Sequence, residues 1–113
     1  MAGLPNHFQN FVKKYPSVAD AYDQIARASR QSGPLAGKTL ALVKLGISVG
    51  TQTEGGIHAQ VRKALEAGCT PEEIRHVVIV SLTTIGFPRM MAALSWVEDI
   101  LKHRAENRKK KKK

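Results

Sequence analysis

The run Thr70-Pro71-Glu72-Glu73 limits what this chain can fold into more than any other stretch. Threonine is a favoured helix N-cap. Proline suits the first helical position, where its missing N–H would have had no partner. A glutamate three residues after the cap can reach back to the cap's own N–H. The β-branched residues Val77-Val78-Ile79-Val80 follow, and alone they would suit a strand. The capping signature ahead of Ile74 outweighs them, and the length of the segment agrees with a helix. With that run assigned, nothing else in the chain argues for a sheet.

The remaining segments are helical in period and clearly punctuated. Phe8, Phe11 and Val12 share a helical face in a short segment that starts near Pro5 and ends at Pro16, because the residue before a proline resists helical geometry. Ser17 and Asp20 open a second segment with the stripe Val18, Tyr22 and Ile25, stopped by Gly33-Pro34. In the third, Leu42, Leu45 and Val49 recur at three and four, while Leu40, Val43 and Ile47 fill a second face; burial over much of its circumference is expected. Ile57, Val61, Ala64 and Leu65 mark a fourth helix closed by Gly68. The last carries Met91, Leu94, Val97 and Leu101, with Trp96 and Ile100 beside them and a basic end that suits the helix dipole. The expected architecture is all-α, with about five to six helices packed roughly antiparallel across short loops. Helices apolar on more than one face in so short a chain point to cover by another subunit.

A length of 113 residues fits one domain, expected over residues 1–107. Six of the net nine positive charges fall in residues 108–113. Such a like-charge block is expected to be a solvated, disordered tail, with weak, salt-dependent, non-specific nucleic-acid binding as its sharper alternative. No apolar run reaches the roughly 20 residues that span a bilayer, and no signal pattern opens the chain; a cytoplasmic protein with no membrane partner is expected. Cys69, the single cysteine, can form neither an internal disulfide nor a CxxC pair and is expected to be structural.

Chemistry concentrates in Glu54, His58 and Arg62, spaced i, i+4, i+8 behind Gly55-Gly56. On one helix the three share a face. Histidine can shuttle a proton, glutamate can orient it, and arginine can hold a carboxylate. The competing account is an ordinary surface ladder, contributing a few tenths of a kcal/mol. His7 is expected to be exposed in the first helix and His76 to be a partly exposed helix histidine, while His103 belongs to the basic end of the last helix. A zinc site from His58, His76 and glutamates matches no ligand spacing, so no metal site and no cofactor is expected. There is no phosphate loop, dinucleotide turn or nucleophile elbow.

Three stretches in set order, KTLALVKLGISVG, GGIHAQVRKALEAGCTPEEIRHVV and TIGFPRMMAALSWVEDIL, resemble the carboxymuconolactone decarboxylase family, which also contains the alkylhydroperoxidase D-like proteins. The likeness covers roughly residues 20–101, and its most specific part runs from His58 to Ile74. It implies an all-helical homotrimer or homohexamer with sites near subunit interfaces. The family's peroxidase-like branch carries C-x-x-C-x-x-x-H; aligned on His58, its cysteines fall on Thr51 and Glu54, and its relay glutamate on Thr39. The thiols and the acid of that branch are therefore missing, and thiol peroxidase chemistry needs a thiolate. The decarboxylase branch shows E-x-x-x-H, which Glu54 and His58 fit. The resemblance thus implies a cofactor-independent lyase on a small lactone or carboxylic acid, with His58 and Glu54 as the acid–base pair and Arg62 binding the substrate carboxylate. The rival readings are a non-catalytic oligomeric binding protein and an antioxidant family member that has lost its CxxC.

Overall fold

The computed structural model describes residues 6–111. They form α1 (Asn6–Lys14), α2 (Pro16–Arg30), α3 (Gly37–Thr51), α4 (Glu54–Glu66), α5 (Pro71–Val80), α6 (Leu82–Ile85) and α7 (Phe87–Lys111). Among the described residues there is no strand, so the fold is all-α.

The chain divides into two compact units, Met1–Leu35 and Ala36–Lys113. In the first, α1 and α2 carry no buried residue. Phe11 and Tyr15 stack with ring centres 5.6 Å apart, and Asp23 pairs with Arg27 one turn on. The expected cap at Ser17 is not used. Pro16 itself begins α2, with Tyr15 in the cap position and no side-chain cap bond, since proline's fixed φ starts a helix without one.

The second unit holds the core. In it α4 and α5 each lie against both α3 and α7. Leu45 and Val49 from α3, Ile57, Val61 and Ala64 from α4, Ile74 and Val78 from α5, and Met90, Ala93, Val97 and Leu101 from α7 are buried together. On α7 the buried stripe begins at Met90, and the expected Met91 is exposed; the i, i+3, i+7, i+11 row through Met90, Ala93, Val97 and Leu101 is the one that meets the other helices. On α3 the second apolar face stays open, with Ile47 62% exposed.

Helix ends follow local chemistry. At Thr70 the hydroxyl accepts the Glu73 N–H at 3.1 Å, and the Thr70 N–H donates to Glu73 Oε1 at 2.9 Å. Those bonds, and Lys38 Nζ at 3.0 Å, hold the Glu73 carboxyl below its ordinary range, the Thr70 N–H contributing most. Glu73 therefore stabilises the fold near neutral pH, and that share is lost as pH falls through its lowered range. Thr70→Ala is expected to lower stability by about 1 kcal/mol, seen as a lower urea midpoint at unchanged slope; an unmoved midpoint would show that the box contributes nothing.

Gly68, at φ +94, closes α4: its N–H donates to Leu65 O and the Cys69 N–H to Ala64 O, the paired bonds of a left-handed helix terminus. At the far end α7 continues through 108–111 as helix, where a disordered tail was expected. Lysine and arginine are good helix formers, and their charge complements a helix C-terminus. Residues 112–113 of that tail lie outside the described residues.

Candidate functional site

The start of α4 sets the site. Gln52 ends α3 in the left-handed region at φ 57, and its side-chain amide donates to Val49 O and to Arg89 O on α7. The chain then turns into α4 at once: Ile57 N donates to Thr53 O at 2.8 Å, and Glu54 is the first helical residue. The Gly-Gly pair has two different roles. A side chain at Gly56 would put its Cβ 2.5 Å from Thr53 Oγ1, whereas nothing lies within 4 Å of one at Gly55. Glycine at 56 thus lets the Thr53 side chain fold over the first turn of the helix.

With the helix intact from Glu54, its carboxylate and the His58 ring fall on one face, which turns toward α7. There the sequence reading missed a residue. Asp99 Oδ2 lies 3.1 Å from His58 Nε2. One donor atom each from Glu54, His58 and Asp99 lies within 4.8 Å of the other two. A carboxylate only accepts, so with Asp99 ionised the neutral imidazole carries its proton on Nε2 and keeps the Nδ1 lone pair. The His58 side chain is 22% exposed and that of Asp99 57%, so the ring is held between helices while the acids reach solvent. Asp99 sits two residues from buried Val97 and next to partly buried Ile100. The only signal it leaves in the sequence is an acid on the flank of the apolar stripe.

Arg62 is half-buried on the same helix and makes no ion pair or side-chain hydrogen bond among the described residues, which leaves its guanidinium available to an anion. His76 is exposed on α5 and is not part of the cluster. Nearby, Arg75 forks onto Glu98 at 2.7–3.1 Å and ties α5 to α7.

Cys69 is buried, its Sγ 3.9 Å from Lys38 O. Burial, reinforced by the Glu73 charge, pushes its thiol above the ordinary range. Cys69 is expected to react with Ellman's reagent at least about tenfold more slowly in the folded protein than in urea. Equal rates would contradict a shielded thiol.

The described residues thus combine an all-helical fold with a His–carboxylate cluster between two helices and a single, buried thiol. The chain belongs to the carboxymuconolactone decarboxylase family, whose model matches residues 16–99. Its fold is similar to the crystal structure of apo-lpg0406, a carboxymuconolactone decarboxylase family protein from Legionella pneumophila, with a TM-score of 0.73 at 23% identity, covering 86% of this chain and 87% of that one. Among curated proteins none matches significantly. No helix among the described residues is long and apolar enough to cross a membrane.

Proposed function

We propose that this protein is a lyase that removes CO₂ from a small lactone or carboxylic acid by acid–base chemistry at His58 and Glu54. The observation that carries the reading is the joining of His58 and Glu54 with Asp99 into one cluster whose donor atoms lie within 4.8 Å. When the C–CO₂ bond breaks, its electron pair passes into a dienolate, which must be stabilised and then protonated at carbon. His58, held through Nε2 by Asp99, takes a proton from solvent on Nδ1 and, as the doubly protonated ring, delivers it to that carbon. Glu54 supports the charged ring, and Arg62 holds the substrate's carboxylate or the developing oxyanion. The substrate is an anion, in keeping with the net positive chain.

Ultraviolet-monitored turnover of γ-carboxymuconolactone by the wild type and by His58→Ala tests the reading. Turnover that collapses in the variant supports it, and turnover that survives removes His58 from the chemistry. Absence of turnover by the wild type moves the assignment to another carboxylate or to a non-catalytic binding protein. That second reading is favoured by the solvent-exposed apolar residues Val43, Ile47, Ile79, Val80, Phe87 and Met91. In either case they suit self-association into a trimer or hexamer.

A further inference from the structure

We propose that Glu54, His58 and Asp99 form a binding site for one divalent transition-metal ion, with Zn²⁺ as its representative. The donors are one imidazole nitrogen and two carboxylate oxygens, drawn from α4 and α7, all within 4.8 Å of one another. Ligands about 2.0–2.2 Å from a zinc ion stand roughly 3.3 Å apart in a tetrahedral shell. His58 Nε2 and Asp99 Oδ2, 3.1 Å apart, already have close to that separation. Glu54 is one turn before His58 on the same face, and its exposed, freely rotating side chain can close the remaining distance without backbone movement.

Charge and access agree with the geometry. Two carboxylates match a doubly charged cation. The half-buried ring supplies a fixed donor, and the exposed acids leave a route in from solvent. Arg62, a turn beyond His58, opposes the ion. The donor set selects among metals. A nitrogen donor with only two carboxylates falls short of the six to eight oxygens that Ca²⁺ takes, and the lack of sulfur disfavours Cu(I). Three protein ligands with water completing the shell is the pattern of an open zinc site.

Binding requires the Nε2 lone pair, so the neutral ring then carries its proton on Nδ1. An ion there occupies the nitrogen that Asp99 orients and prevents the second protonation that makes the ring a proton donor. The loaded protein is therefore the inactive form of the lyase. That consequence rests on the lyase reading; the site itself does not.

Calorimetric titration of the full, metal-stripped chain with ZnCl₂ at neutral pH, repeated for Asp99→Asn and Glu54→Gln, tests the site. Wild type is expected to take one equivalent per chain, and each variant to bind at least about tenfold more weakly. Both substitutions are near-isosteric and exposed, and circular dichroism checks the fold. A parallel CoCl₂ titration reads the ligands directly through the visible absorption of the bound ion, which should fall in each variant. No one-equivalent isotherm in the wild type would overturn the site. An isotherm unchanged in both variants would also overturn it, placing the ion elsewhere, for example on His7 or His103. Lactone turnover by the metal-stripped protein is read separately, and its absence counts against the lyase reading alone.

Discussion

His58→Ala is expected to lower kcat on γ-carboxymuconolactone by about 10²–10⁴-fold, the range a positioned proton donor contributes. The fold should survive, because the His58 side chain remains 22% exposed and lies outside the buried cluster. Its cross-helix bond reaches an aspartate that is more than half exposed, and such a contact contributes little to stability. The loss should fall mainly on kcat, since the proton is transferred only as the reaction proceeds. Arg62→Ala should instead raise KM more than it lowers kcat, because an anion-binding cation acts on bound substrate as well as on the transition state. If His58→Ala and wild type turn the lactone over at the same rate, the cluster is not the acid–base site.

Leu45→Ala is expected to destabilise the second unit by about 2–5 kcal/mol, the range for deleting a buried leucine side chain. Leu45 is 0% exposed and packed with Val49, Ile57, Ile74 and Val97 in the shared core of α3, α4, α5 and α7. A loss of this size is a large fraction of the roughly 5–15 kcal/mol that a domain holds in total. Urea unfolding at fixed protein concentration measures it, concentration being held constant because self-association would add its own stabilisation. A change under about 1 kcal/mol would mean that the four-helix core collapses around the gap, or that Leu45 is not central to it.

The parts of the molecule legible in the sequence are those set by local chemistry. The capping box at Thr70 directs the β-branched run of α5 into a helix, and Gly68 closes α4 with the paired bonds its position allows. The buried faces of α3 and α4 follow from the period of their own apolar residues. Errors arise where two local options compete. Proline, not Ser17, starts α2, and Met90 rather than Met91 enters the core. Adjacent residues of similar hydrophobicity leave the helix phase undecided by one position, and only the packing of α7 against its neighbours resolves it. The basic run shows a related limit: its charge argued for a solvated coil, while continuation of the α7 ladder through 108–111 keeps it helical.

Glu54 and His58 were identifiable as a pair because four residues is one helical turn, and helical geometry alone places them on one face. Their partner was not. Asp99 lies 41 residues along the chain from His58, and nothing in the local pattern around either residue encodes their meeting. The sequence by itself determined the helices, most of their ends and the placing of Glu54 and His58 on one face of α4, because each depends on interactions within a few residues. Only the tertiary structure decided that the pair becomes a three-donor cluster, because that requires the packing angle and phase of α7 against α4, which are set by the whole buried core at once.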